Sequence, residues 1–255
     1  FIMSDPCLLS ALELSNLLSK GDITADELAK SYLKRIEKFE KDVKAWAFFD
    51  PNFLLKKASE CDNLKNIGRP LGPLHGLPIA IKDIFGTDEM PTECGTVLRK
   101  KKYSKGDSTV VSLLKSSGAY VMGKTVTTEF AYFDPGKTTN PHDYSRTPGG
   151  SSSGSAAAVA SFMTPVALGS QTNGSIIRPA SYCGVIGYKP SYGLISRNGV
   201  LRQSFLLDHV GIFSRTVDDL AFISQEIIKR DTEDRSTVSF ASGNFFSKPS
   251  SHNFF

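Results

Sequence analysis

Gly149-Gly150-Ser151-Ser152-Ser153-Gly154-Ser155-Ala156-Ala157-Ala158 and, a little further on, Gly169-Ser170-Gln171-Thr172-Asn173-Gly174-Ser175-Ile176-Ile177-Arg178-Pro179 belong to one stretch rich in Gly, Ser and Ala. Ser151 and Ser175 stand 24 positions apart in it (175 − 151). A serine hydroxyl is a poor nucleophile until a base takes its proton. Upstream, Leu77-Pro78-Ile79-Ala80-Ile81-Lys82 reads as a short strand, with Pro78 tolerable only near its start. Alternation puts Leu77, Ile79 and Ile81 on one face and Ala80 and Lys82 on the other. Lys82 therefore projects from the carboxyl end of a strand, where open α/β sheets bind ligands. A buried, neutral lysine can act as the missing base, because burial readily lowers its pKa.

The glycine-serine loop, the Gly-Ser-Ile-x-x-Pro segment and the upstream Pro-Ile-Ala-Ile-Lys-Asp segment resemble, in order and spacing, the amidase signature family. The resemblance runs from about Leu71 to Asp219. It implies a Ser-cisSer-Lys triad in which Ser175 is the nucleophile, Ser151 the bridging serine on a cis peptide bond and Lys82 the general base. It also implies an oxyanion hole made by the backbone N–H groups of Thr172, Asn173, Gly174 and Ser175. Two departures stand out. Asn173 occupies a position where the family usually has Gly, and Asn tolerates left-handed backbone better than other side chains. Arg178 lies three residues after the serine, as in malonamidase-like free-standing amidases, where many members place it at two. Such an Arg suits a substrate carboxylate through its planar fork; a structural ion pair is the other reading of Arg178.

The rest of the chain supplies an α/β frame. Helical spacing covers Leu8 to Lys20, and a Thr24/Glu27 capping box opens a second helix to about Glu40. Ser108 to Ser117, Ser153 to Met163 and Thr216 to about Lys229 read as further helices. Strands are expected at Ala119–Gly123, Val166–Ser170, Val185–Tyr188 and Val210–Ser214, and a helical turn ending at Pro179. The alternation predicts a three-layer α/β/α sandwich with a mixed sheet, one domain over residues 1–231. Because family members continue past Lys229, the resemblance implies a fold incomplete at its C-terminal side. Residues 232–255, rich in Ser, Asn and Phe, read as a disordered or irregular tail.

Other chemistries fit less well. Gly150-x-Ser152-x-Gly154 matches a nucleophile elbow, but an elbow must follow a strand, and Pro141 to Pro148 cannot be one. The same loop lacks the Gly-Lys-Ser/Thr ending of a phosphate-binding loop. Ser112-Leu113-Leu114-Lys115 matches a Ser-x-x-Lys pattern without its companion motifs and reads as helix surface. The four cysteines and four histidines show no zinc-ligand spacing, and scattered cysteines suit a reducing cytoplasm. With a net charge of +4 and a basic run only at Arg99 to Lys102, no direct nucleic-acid contact is expected. No apolar run is long enough to span a membrane. The expected function is hydrolysis of a small carboxamide with no cofactor and no metal, by a stand-alone enzyme to which a homodimer is open. The alternatives are the glutaminase-type component of a tRNA-dependent amidotransferase and an inactive fragment of an amidase.

Overall fold

The computed structural model describes residues 5–238. Two helices begin on reciprocal caps. Ser10 and Glu13 form a capping box that opens α1 (Ala11–Lys20), which Gly21 ends in left-handed backbone at φ 82°. Leu8, expected within this helix, belongs instead to a preceding 3₁₀ turn, Pro6–Leu8. Thr24 and Glu27 open α2 (Ala25–Val43), whose Leu28, Tyr32 and Ile36 are buried. This helix passes the expected end at Glu40. The Glu40 carboxylate then accepts the N–H groups of Ala45 and Trp46, so the exit of the chain is held by a residue of the helix itself. An unanticipated helix, α3 (Pro51–Asn66), starts on the Asp50 cap with Pro51 in its first turn and packs against α2.

Six strands form one mixed sheet: β1 (Trp46–Phe48), β2 (Pro78–Lys82), β3 (Tyr120–Thr125), β4 (Val166–Gln171), β5 (Ile186–Tyr188) and β6 (His209–Ser214). Their order across the sheet is β1-β3-β2-β4-β6-β5. The pairs β2–β3 and β2–β4 are parallel, and β1–β3, β4–β6 and β5–β6 antiparallel. Helix α4 (Thr109–Ser116) links β2 to β3, and α5 (Ser153–Ala160) links β3 to β4. These two crossovers step in opposite directions along the sheet. Right-handed connections therefore place α4 and α5 on opposite faces, which makes three layers. On one side α4 packs against α7 (Val217–Ile227), and α7 against α1. On the other, α5 packs against α6 (Ile177–Cys183). Covered on both faces, β2 and β3 are buried throughout, as parallel strands usually are.

Pro179 does not end a turn. It lies in the first turn of α6, where its missing N–H has no intrahelical partner to lose, and the helix runs on to Gly184 at φ 66°. The tail expected from Thr232 enters the described residues only as far as Val238. That part has no helix or strand, yet Asp234 is buried and accepts the Arg197 guanidinium and backbone N–H. Residues 239–255 lie outside the described residues.

Candidate active site

Alternation along β2 settles the direction of Lys82. In the parallel ladder Ile81 pairs with Lys124 and Lys82 with Thr125, so the two buried lysines leave opposite faces of the sheet. Both side chains are fully buried, but they are satisfied differently. Lys124 meets the Asp83 carboxylate at 3.2 Å, the Thr87 and Thr92 hydroxyls, and the carbonyls of Phe85 and Pro91. It is a charged staple for the loop after β2. Lys82 has only hydroxyl partners: its Nζ donates to Ser151 Oγ at 2.7 Å and to Ser170 Oγ at 2.8 Å. Among the described residues no carboxylate pairs with it. Burial lowers the Lys82 pKa to about 7, against an opposing pull from Asp208 and Cys94. A lysine of this kind is neutral in a large share of molecules at physiological pH and can accept a proton.

Ser151 reaches the lysine because of how the glycine loop is built. Gly149 has φ 77°, and the Gly150–Ser151 peptide bond is cis. Gly154 lies so close to neighbouring backbone that a Cβ there would fall 2.3 Å from the Ala45 carbonyl oxygen and 2.4 Å from the Val126 nitrogen. The other serines of the loop stitch it to the sheet. Ser152 Oγ donates to the Ser170 carbonyl, Ser153 Oγ to the Val126 carbonyl and Ser155 Oγ to the Leu168 carbonyl. Ser152, the elbow serine, is thus fully buried and bonded to backbone.

The turn after β4 carries Ser175. Gln171, buried at the end of β4, accepts the N–H groups of Ile176 and Ile177 through its Oε1 at 2.9 and 3.0 Å. That contact folds the turn back on the strand. Among the described residues, the N–H groups of Thr172, Asn173, Gly174 and Ser175 donate to no acceptor. Asn173 does not take left-handed backbone, and nothing lies within 3.8 Å of where a Cβ on Gly174 would sit. The tolerance of Asn for left-handed backbone, noted because the family usually has Gly at this position, is not called on here. Ser175 is 7% exposed and lines a cavity of about 260 Å³ together with Thr172, Asn173, Tyr132, Phe133 and Arg178. No hydrogen bond joins Ser151 to Ser175 among the described residues, so direct contact within the set is between Lys82 and Ser151.

Arg178 is exposed on the first turn of α6. Its Nε and Nη2 both donate to the Gly150 carbonyl, at 3.1 and 3.0 Å. It pairs with no carboxylate among the described residues, so the ion-pair reading finds no partner there. It stands between the Ser175 cavity and a second one, also about 260 Å³, lined by Gly149, Gly150 and Tyr182. Sequence reasoning missed Ser170 and Gln171 as partners of the site, although both lie inside the quoted stretch. It also missed Asp208, which accepts the Thr172 hydroxyl at 2.6 Å and has no local motif to mark it.

The remaining candidates are structural. Lys115 of the Ser-x-x-Lys pattern is held by Asp88, Glu89 and Asp107. His75, His142 and His209 each bond a backbone carbonyl. Among the described residues no group of His, Cys, Asp and Glu could hold a metal, and no helix is long and apolar enough to cross a membrane.

A sequence profile of the family described as Amidase matches residues 27–253. Among curated proteins, the glutamyl-tRNA(Gln) amidotransferase A subunit of Acidothermus cellulolyticus is 40% identical over 242 residues, 92% of this chain and 48% of that protein. Its counterpart of the same description from Symbiobacterium thermophilum is 42% identical over 234 residues, 89% of this chain and 48% of that protein. The chain thus spans about half the length of the curated relatives it matches. Among solved structures, the native peptide amidase from Stenotrophomonas maltophilia superposes with a TM-score of 0.85 at 34% identity, covering 92% of this chain and 50% of that one. The glutamyl-tRNA(Gln) amidotransferase A subunit of Thermotoga maritima gives 0.80 at 36% identity, covering 94% and 51%.

Proposed function

Because this chain belongs to the amidase family, we propose that it hydrolyses a carboxamide through an acyl-enzyme on Ser175. Ser175 Oγ attacks the carbonyl carbon while its proton moves to Ser151 Oγ, and the Ser151 proton moves to neutral Lys82 Nζ. The oxyanion of the tetrahedral intermediate is taken by the unoccupied N–H groups of the 172–175 turn, the arrangement acyl transfer needs where charge develops. Collapse breaks the C–N bond, and the leaving nitrogen takes the proton back through Ser151 to depart as ammonia or an amine. Water, deprotonated along the same relay, then cleaves the ester and restores Ser175. Arg178, a cation between the two cavities with no carboxylate partner among the described residues, suits a carboxylate on the substrate. The four cysteines are free thiols, which suits a reducing, cytoplasmic setting.

The observation that carries this reading is the 2.7 Å bond from a fully buried Lys82, with its pKa near 7, to Ser151 beside the nucleophile turn. The test is to treat the purified chain with a serine-directed fluorophosphonate and to screen small amides and glutamine for ammonia release. The adduct is expected on Ser175 by mass spectrometry, and Ser175→Ala should abolish both adduct and turnover. An adduct on Ser152, or undiminished ammonia release by Ser175→Ala, would sink the assignment.

A second reading has its own support. The curated relatives at about 40% identity are amidotransferase A subunits, while the peptide amidase is 34% identical. Under that reading the same residues release ammonia from glutamine for a tRNA-linked reaction. Glutamine hydrolysis appearing only with partner subunits and charged tRNA would decide for it.

A further inference from the structure

The Ser175 turn and the strap over its cavity come from distant parts of the chain, and one buried carboxylate joins them. Asp208, 8% exposed, accepts the Thr172 hydroxyl on Oδ1 at 2.6 Å. Its Oδ2 accepts the N–H groups of Gln203 at 2.7 Å and Ser204 at 3.0 Å. The Thr172 hydroxyl also lies 2.8 Å from Gln203 Oε1, and Gln203 Nε2 donates to the Phe130 carbonyl at 3.1 Å. Phe130 and Ala131 hold φ 47° and 60°, backbone that non-glycine residues keep only where their surroundings enforce it. Beyond them, Tyr132 and Phe133 line the Ser175 cavity.

The same carboxylate lies toward the base. A small space of about 10 Å³, near the size of one water, is bounded by Asp208, Thr172 and Ser170 among others. Ser170 Oγ is the second acceptor of Lys82 Nζ. Among the described residues no cation pairs with the Asp208 carboxylate. Arg197 is paired with Asp234 and reaches only the backbone carbonyl of Asp208; Arg202, which borders the same space, lies 3.9 Å from Asp234, and the His209 ring, bonded to the Leu207 carbonyl, is the ionisable group there that feels the Asp208 charge. The other titratable group that acts on Lys82 is Cys94, whose thiol burial pushes up and so keeps uncharged near neutral pH. Asp83 is taken by Lys124 on the opposite face of the sheet.

We propose that Asp208 is a positioning residue for amide hydrolysis: it holds the Ser175 turn through Thr172 and the aromatic strap through Gln203, and its side chain borders the space next to Ser170, the second acceptor of Lys82. The proposal rests on the reading of Lys82 as base and Ser175 as nucleophile. The sign follows from charge. A nearby carboxylate stabilises the lysine ammonium, so removing it makes Lys82 release its proton at lower pH.

The test is Asp208→Asn in the full chain, with kcat/KM followed against pH on a small amide. The rising limb should move to lower pH by roughly half a unit or more, and kcat should fall. Thr172→Val should lower kcat roughly tenfold, by loosening the turn, with the limb in place. A readout independent of turnover is the ¹³Cε titration of Lys82 in lysine-labelled protein, assigned with Lys82→Met. An Asp208→Asn protein whose Lys82 titrates as in wild type overturns the proposal. If no amide is hydrolysed while the Lys82 titration still shifts, the failure lies with the reading of the reaction and not with Asp208. Should Asp208→Asn not fold, Thr172→Val and Gln203→Ala carry the test, and wild-type kcat in both overturns it.

Discussion

At the scale of single residues, Lys82 and Lys124 show how one side-chain type serves two ends. Both are buried, and burial lowers the pKa of both. Lys124 has a carboxylate and a shell of oxygens, whereas Lys82 has two hydroxyls. The sequence marks only Lys82, through the motif around it. Lys124 ends no motif, and only the sheet register reveals that it is interior. Lys82 also makes stability depend on pH. Its folded pKa, about 7, lies below the ordinary lysine value of 10.5, so between the two the unfolded chain binds more protons and stability rises with pH. Lys82→Met removes that slope. Relative to wild type, the variant should gain most at and below about pH 7 and progressively less toward pH 10, as read by urea unfolding. Parallel stability curves would count against a depressed Lys82. Arg178→Ala should raise KM for amides with a free carboxylate, by the loss of about 1.5–3 kcal/mol, and little for neutral amides. An equal rise for both classes would leave Arg178 as a brace for the Gly150 carbonyl.

At the scale of elements, caps and glycines decide where the site residues stand. The Thr24/Glu27 box was legible because both partners lie within one turn of helix. Thr24→Ala should destabilise by about 1 kcal/mol and leave turnover unchanged, since α2 is far from the site in the chain and packs in the helical layer. Gly154 is a different case. Nothing local demands it, and its φ is not left-handed. A Cβ there would meet the Ala45 carbonyl and Val126 nitrogen at 2.3 and 2.4 Å, contacts from two other segments. Gly154→Ala should therefore force α5 away from the sheet. It should lower stability by roughly 1–3 kcal/mol or more and cut activity together with it, because Ser151 lies two residues ahead of the same helix. A stable Gly154→Ala with wild-type turnover would show that the loop can give. Helix α3 escaped the sequence reading although Asp50-Pro51 is a sound start signal, because its apolar positions are few and it leans on α2.

At the scale of the whole molecule, residues distant in sequence close the fold around the sheet. Asp234 lies buried beside Arg197, whose guanidinium also reaches the Phe205 carbonyl and Ser236. Burial alone would raise the Asp234 carboxyl, but hydrogen bonds from Ser236 and Arg197 hold it at about 2. A carboxyl lowered in the fold contributes stability above its unfolded value near 3.8 and loses it as the pH falls toward 2. Asp234→Asn should therefore lower stability at neutral pH and show a shallower acid transition than wild type between about pH 4 and 2. Circular dichroism across that range checks it, and identical acid transitions would remove Asp234 from the account.

What the sequence determined by itself is what can be read within a few residues or along one repeat. The strand alternation aimed Lys82, the Thr24/Glu27 capping box started α2, and the small residues of 149–158 and 169–179 allowed close backbone approach. The α/β alternation then fixed the class of fold. Only the tertiary structure decided which of the clustered serines meets the lysine. Ser152 and Ser155 are turned to carbonyls of β4 and Ser153 to the Val126 carbonyl just past β3, and Ser151 alone of that stretch reaches Lys82. It also decided that Ser170 accepts from Lys82, that Gln171 and Asp208 bond the turn carrying Ser175, and that Arg178 donates to the Gly150 carbonyl. The physical reason is the range of the forces. Propensity and periodicity act along the chain, whereas desolvation and hydrogen-bond satisfaction depend on what the rest of the chain brings alongside.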